Sequence, residues 1–421
     1  MSGRGSTKSE RYLPTTNEKP SETMFQRVLL DFVLKTFGLG AENETRTRDP
    51  NLGKVVLYQL SYFRNCECKY TAKILLCKFF AKKKCKNSKN RPIKAIFVGM
   101  KPIIDTLTQL GERLGSLPDA VLRHAIEQNP WYTPASIRAA IEAICTEMLR
   151  RDRLEAWLRP YSVPIAKPKQ VLIILAGNLP LVGFFDLLCV LVSGHRCLVK
   201  PSSKDRVLTE YIIRELHALD PTLPVALYDG STSPDAVIAT GSDNTNRYFR
   251  AQYPSIPTLL RGSRQSVAVL TGDETAEELR GLEEDIWLHN GLGCRNVSML
   301  WLKRGMEFPH ISPRAIHEKY RNNYRQTKAL LEMTGEAFID LDGAVALCKG
   351  EFPHTLSALS YAYYDTASEV EQWLAAHDRE LQCVVGREIA HPRRVDFGRA
   401  QHPALTDYPD AVDVIAFLEK I

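Results

Sequence analysis

The sequence predicts an α/β protein built on a mostly parallel sheet. Three observations carry this. Apolar runs such as Val171 to Ala176 suit strands buried on both faces. Stretches with helical spacing and cap residues alternate with them. Turns containing Gly, Ser or Asn fall where a strand hands over to a helix, where parallel sheets place ligands. The chain has 421 residues, enough for two or three domains.

The elements follow in order. Thr133-Pro134 reads as an N-cap and first helical residue, opening an Ala-rich helix to about Leu149. Leu154 to Leu158 is helical and ends before Pro160. Val171 to Ala176 is a strand, Leu181 to Val192 a helix and Cys197 to Lys200 a short strand. Ser202 or Ser203 caps a helix reaching about Leu219. Val225 to Tyr228, Ala236 to Ala239 and Val267 to Leu270 are further strands, with a helix over Asn244 to Gln252. Asp273 or Thr275 caps a helix ending near Asn290, and Val297 to Leu302 is strand-like.

Charge is unevenly spread. Residues 1–99 hold 20 Lys+Arg and 8 Asp+Glu, leaving 35 and 41 of the totals 55 and 49 to residues 100–421. The front segment is therefore net +12 and the remainder net −6. Such a basic arm is one signature of nucleic-acid binding. Against that, Glu44 to Phe63 resembles the conceptual translation of a structural RNA gene, and an ordinary domain begins after Met100. The expectation is that the native start is Met100 or nearby, that residues 1–99 are disordered or mis-annotated, and that no nucleic acid is bound. No apolar run reaches the roughly 18 residues of a membrane span. Ten cysteines with neither zinc spacing nor a secreted disulfide pattern point to a reducing cytoplasm and to no metal.

The chemistry-bearing candidates lie at strand ends. Cys294 sits in Gly291-Leu292-Gly293-Cys294-Arg295-Asn296-Val297-Ser298, between a helix and a strand. A thiol at such a turn can attack a carbonyl carbon while its own N–H faces the developing oxyanion. Asn178, in Ala176-Gly177-Asn178-Leu179-Pro180, comes off a buried strand and can donate to an oxyanion. Lys200 ends a strand and can reach a nucleotide's ribose or extra phosphate. Thr240-Gly241-Ser242 lets a phosphate approach a helix start, although no Gly-x-Gly-x-x-Gly fingerprint is present. Each has a bland counterpart: a buried cysteine, a Gly-Asn turn, a surface lysine, a helix cap. His289 reads as a solvated helix-end residue, and Arg295 either lowers the Cys294 pKa or pairs with a buried carboxylate.

In this order, Asn178, Lys200, Thr240-Gly241-Ser242, a helix and Gly291-Leu292-Gly293-Cys294 resemble the aldehyde dehydrogenase superfamily. More narrowly, the chain resembles the acyl-CoA reductases related to the bioluminescence fatty-acid reductase, the LuxC family. Asn129-Pro130-Trp131-Tyr132-Thr133-Pro134, Ser193-Gly194-His195 and Asp396-Phe397-Gly398-Arg399-Ala400-Gln401 share in the likeness, which covers about residue 101 to the C-terminus.

The resemblance implies an aldehyde-dehydrogenase-like α/β fold. A Rossmann-like cofactor domain would span 100–283 and an α/β catalytic domain 284–395, with 396–421 packing back on them. It implies Cys294 as nucleophile and Asn178 with the Cys294 N–H as oxyanion hole. Lys200 and Ser202 would bind the adenosine ribose of NADPH, or of NADH, and Thr240, Gly241 and Ser242 its pyrophosphate and nicotinamide end. Glu380 would correspond to the glutamate on the nicotinamide ribose. The resemblance further implies an acyl-CoA or acyl-carrier thioester as partner and a homo-oligomeric protein. Where acid-forming aldehyde dehydrogenases carry Glu-Leu-Gly-Gly-Lys, this chain reads Leu260-Arg261-Gly262-Ser263-Arg264, without the glutamate that activates water. Glu283 and Glu284 are the possible substitutes. The implied reaction is reduction of an acyl thioester to an aldehyde through acyl-Cys294. The other readings are an oxidative aldehyde dehydrogenase and a non-catalytic nucleotide- or acyl-binding protein.

Overall fold

The computed structural model describes residues 93–421 apart from 314 and 315. Helix α1 (Ile93–Leu114) runs across Met100, and residues 1–92 of the expected spurious segment lie outside the described residues. Met100, Ile104, Leu107, Leu110 and Leu114 recur at helical spacing and are buried as one stripe. Helices α2 (Asp119–Gln128), α3 (Pro134–Ala143) and α4 (Arg151–Leu158) complete this helical layer. Thr133 caps α3 as expected, accepting from the Ser136 N–H at 3.0 Å while Ser136 returns the bond. A π-helical turn over Ile144–Met148 carries α3 towards α4.

The first sheet contains β1 (Gln170–Ile174), β2 (Arg196–Lys200), β3 (Val225–Leu227), β4 (Ala236–Thr240) and β5 (Thr258–Arg261). Their order is β3-β2-β1-β4-β5, all parallel. Helices α5 (Phe184–Ser193), α6 (Arg206–Leu219) and α7 (Asp243–Gln252) make the crossovers. The β1 residues Val171, Leu172 and Ile173 are fully buried, as a doubly covered parallel strand requires.

The second sheet begins with β6 (Gln265–Leu270), followed by α8 (Ala276–Trp287) and β7 (Val297–Lys303). After α9 (Glu318–Thr334) come β8 (Ile339–Asp340), β9 (Val345–Cys348) and β10 (Ala358–Tyr364). Helix α10 (Ala367–Ala376), β11 (Leu381–Val385), β12 (Arg394–Val395) and α11 (Val414–Leu418) close the chain. The order is β12-β11-β6-β7-β10-β9-β8, parallel except for the β8–β9 pair. The change of sheet falls between Arg261 and Gln265, upstream of the 283/284 boundary expected from sequence. Thr275 caps α8 reciprocally with Glu278. Among the described residues, no helix is long and apolar enough to cross a membrane.

His195 at the start of β2 is a satisfied core histidine. It accepts from the Lys169 N–H at 2.9 Å, and its other ring nitrogen meets the Leu418 carbonyl at 3.0 Å, pinning α11 to the first sheet. Burial lowers its pKa.

Candidate active site

Strands β2, β1 and β4 lie side by side, with Ile174 registered against Lys200 and Ala239. Their carboxyl ends therefore deliver the Asn178, Lys200–Ser202 and Thr240–Ser242 segments to one edge. The order reverses between β1 and β4, the switch point at which open α/β sheets open a ligand crevice. Cys294 enters β7 at the amino edge of the second sheet. The two edges meet: the Asn178 side-chain amide donates to the Leu292 carbonyl at 2.9 Å. Gly293 allows this approach, since a Cβ there would lie 2.9 Å from Leu179 Cδ1.

Local chemistry shapes the cysteine loop. Asn296 is buried, and its amide caps the end of α8, donating to the carbonyls of Asp285, Ile286 and Leu288 at 3.2, 3.1 and 2.7 Å. Its Oδ1 accepts the Gly293 N–H at 2.9 Å, closing the turn around Cys294. Buried Ser266 of β6 donates to the Cys294 carbonyl at 2.8 Å. Upstream, His289, Asn290 and Gly291 all adopt left-handed φ values of 60°, 55° and 64°. Two non-glycine residues in that region store strain, which concentrates at functional turns. His289 is not the solvated residue expected from sequence. Its Nδ1 is enclosed without a partner among the described residues, and burial pushes its pKa down to about 4.

The Cys294 side chain is half-buried, and burial raises its pKa above the ordinary thiol value. The Arg264 N–H and guanidinium oppose that rise, while Asp410 adds to it. Arg264 Nε and Asp410 Oδ1 are 3.1 Å apart, so this cation is shared with a carboxylate. Burial therefore favours the neutral thiol of Cys294 over its thiolate. Arg295 instead hydrogen-bonds the Ala400 carbonyl, close to the structural alternative weighed for it. Beside it, the buried Asp285 carboxylate accepts the Gly398 and Ala400 N–H groups at 2.7 and 2.9 Å. The Asp396–Gln401 segment is thereby latched under the cysteine loop. Burial pushes the Asp285 carboxyl up to about 7.

Of the residues expected around a cofactor, Lys200, Ser202 and Thr240 to Ser242 lie at the carboxyl ends of β2 and β4 in the first sheet. Lys200 is exposed at the end of β2. Ser202 does not cap α6, which starts at Arg206 with Asp205 before it. Its hydroxyl instead accepts the Lys204 N–H at 3.3 Å and packs on Gly177, where a Cβ would lie only 2.4 Å from Ser202 Oγ. Thr240 ends β4, the Gly241 N–H donates to the Arg261 carbonyl at 3.1 Å, and Ser242 caps α7 through the Thr245 N–H at 3.4 Å. Asn246 donates to that same Arg261 carbonyl at 2.8 Å. This close-packed edge, with a capped helix start and an adjacent lysine, fits the phosphates and ribose of a dinucleotide. Glu380 is exposed in the turn before β11, and its carbonyl accepts the Gln265 N–H at 2.8 Å. That puts its backbone at the Cys294 edge, across β6 from β7.

Beneath the edge, Arg261 Nη1 meets Asp186 Oδ2 of α5 at 2.7 Å, with both side chains 5% exposed. Leu260, in the register of the water-activating glutamate, lies in β5. Glu283 accepts the Ser312 N–H at 3.2 Å. Sequence reasoning did not single out Asp205, Asp285, Tyr132, Asn296, Asp186 or Arg261 as supports of the site. Several lay inside quoted motifs, but their partners are distant in sequence.

Residues 135–310 match the family model described as Acyl-CoA reductase (LuxC), a stretch running from α3 through the first sheet and the Cys294 loop to just past β7. Among curated proteins, no match is found. Among solved structures, the NAD-dependent benzaldehyde dehydrogenase of Corynebacterium glutamicum aligns with TM-score 0.50 at 12% identity, covering 70% of this chain and 78% of that one. The NADP-dependent glyceraldehyde-3-phosphate dehydrogenase of Bacillus halodurans aligns with TM-score 0.48 at 12% identity, covering 70% and 75%. The two-sheet fold is that of the aldehyde dehydrogenases. The LuxC resemblance read from the motifs is met over the matched stretch, which is less than half of the chain.

Proposed function

We propose that this chain, whose residues 135–310 match the LuxC acyl-CoA reductases, reduces an acyl thioester to an aldehyde through a covalent acyl-Cys294 intermediate. The observation that carries the reading is the Asn178 amide held against the Cys294 loop, at the meeting of the two sheet edges. The donor is an acyl-CoA or an acyl-carrier thioester.

The Cys294 sulfur forms a bond to the thioester carbonyl carbon, and the donor's C–S bond breaks. The thiol proton leaves with the departing thiolate. Negative charge on the carbonyl oxygen is met by the Asn178 amide, released from Leu292, and by the Cys294 N–H. Arg264 favours the thiolate form needed for attack. NADPH or NADH, when bound, would supply the hydride needed to bring the acyl group to the aldehyde oxidation level. Lys200 and Ser202 would hold its adenosine ribose, Thr240, Gly241 and Ser242 its pyrophosphate end, and Glu380 its nicotinamide ribose. Cleavage of the carbon–Cys294 bond then frees the aldehyde, and the sulfur takes a proton from solvent in place of the one lost to the departing thiol.

Two features favour this direction over acid formation. The register of the water-activating glutamate holds Leu260, and Glu283 is bonded to the Ser312 backbone. Without the glutamate of the acid-forming enzymes, a thioester on Cys294 awaits a hydride in preference to water. The test is NADPH consumption with palmitoyl-CoA and trapping of the aldehyde, run beside Cys294→Ala. Aldehyde from the wild type alone supports the reading, and acid or no product from folded enzyme rejects it.

A further inference from the structure

Asn178 rides on the loop Gly177–Leu181, whose two ends are held by buried groups from other elements. At one end the Gly177 carbonyl accepts from Asn129 Nδ2 at 3.1 Å, and the Tyr132 hydroxyl lies 3.5 Å from it. At the other end the Leu181 N–H donates to Asp205 Oδ2 at 3.0 Å, with Leu181 in a left-handed conformation of φ 53°. The second Asp205 oxygen accepts the Tyr132 hydroxyl at 2.9 Å. Asn129, Tyr132 and Asp205 are each only 3% exposed.

A carboxylate buried this deeply is costly unless each oxygen is bonded. Here one oxygen fixes a strained residue of the loop and the other is fixed by Tyr132. Leu181 would not hold a positive φ without such a partner. The contacts go to the backbone flanking Asn178 and leave its exposed amide free to face the cysteine loop. They also give the Asn129-Pro130-Trp131-Tyr132 motif and the residue following Lys200–Lys204 a common purpose.

We infer that Tyr132 and Asp205 are positioning residues for Asn178: together they clamp both ends of its loop so that the amide meets the oxyanion formed at Cys294. The inference rests on Asn178 acting as the oxyanion donor.

The experiment is a double-mutant cycle in the full chain with Tyr132→Phe and Asn178→Ala, reading single-turnover acylation of Cys294 by palmitoyl-CoA. Iodoacetamide alkylation of Cys294, which develops no oxyanion, and NADPH binding are read in parallel. Tyr132→Phe should slow acylation about tenfold in the wild-type background, leave alkylation and NADPH binding unchanged, and cause no further loss beside Asn178→Ala. Asp205→Asn, which keeps the shape and removes the charge, should follow the same pattern and serves if the tyrosine variant folds poorly. Equal losses with and without Asn178, alkylation falling in step with acylation, or wild-type acylation in Tyr132→Phe would each overturn the clamp. Wild-type acylation in Asn178→Ala would instead overturn the oxyanion reading itself, whatever Tyr132→Phe does.

Discussion

The side-chain amide of Asn178 donates to the backbone carbonyl of Leu292 at 2.9 Å, two residues before Cys294. One N–H from the carboxyl edge of one sheet therefore holds the loop that carries Cys294 in the other, and the second N–H of the amide is left over.

If that amide serves the transition state, removing it slows the reaction without unfolding the protein. Asn178→Ala should lower aldehyde formation from palmitoyl-CoA by about a hundredfold or more. Its thermal midpoint should stay near that of the wild type, because the side chain is exposed. Turnover within a factor of two of wild type would remove Asn178 from the oxyanion hole.

The second prediction concerns the thiol. Asp410 raises the Cys294 pKa and holds Arg264, which lowers it. Asp410→Asn should bring the pKa down and speed iodoacetamide alkylation at pH 8 by about threefold to tenfold. Arg264→Gln should act oppositely, since it removes the cation while keeping the backbone N–H. Rates that move together in both variants would mean that neither charge reaches the sulfur.

A third prediction follows from the Asp285 latch. Its carboxyl, pushed up to about 7 by burial, keeps a proton in the folded protein that the unfolded chain releases from pH ~4 upward. The folded state binds more protons between those limits, so this group's contribution to stability falls as pH rises from ~4 to ~7, by at most about 1.4 kcal/mol per pH unit. Asp205, also raised to about 7, has the same sign. His289, lowered to about 4, has the opposite sign between pH ~4 and ~6.5. Asp285→Asn should therefore show a flatter loss of stability from pH 4 to 7 than the wild type in urea unfolding. Parallel curves for the two proteins would exclude a raised Asp285 pKa.

Fourth, the Arg261–Asp186 pair lies beneath the carboxyl edge of the first sheet with little exposure. Arg261→Met alone should cost about 3–5 kcal/mol, because it strands a buried carboxylate. The double variant Asp186→Leu/Arg261→Met should recover much of that loss, as measured by urea denaturation. A double variant as unstable as the single would mean that the charges themselves are required.

The parts legible in the sequence were those carried by local signals. Val171–Ile173 stood out within an uninterrupted apolar run, Thr133 as a cap before Pro134, and Thr275 as one of two cap candidates, the other being Asp273. Ser202 misled because serine is a common cap type, whereas α6 waits until Arg206 while Ser202 packs on Gly177. Strand β5 was missed because Thr258–Arg261 is short and mostly half-buried, with no alternation to mark it. The Cys294 and Asn178 turns were visible as motifs, but their supports were not. Tyr132 and Asp205 are 73 residues apart, and Asp186 and Arg261 75. Arg295 adjoins Cys294 in sequence yet bonds Ala400 in space. His289 was misjudged because its helix end is covered by the fold rather than by water.

The measurement that bears most directly on the central claim is intact-mass and peptide mass spectrometry of the full chain mixed with palmitoyl-CoA and no cofactor. The account predicts one palmitoyl adduct, located on Cys294, absent from Cys294→Ala, and discharged as aldehyde when NADPH is added. A folded protein that forms aldehyde without any adduct, or carries the adduct on another residue, would contradict it.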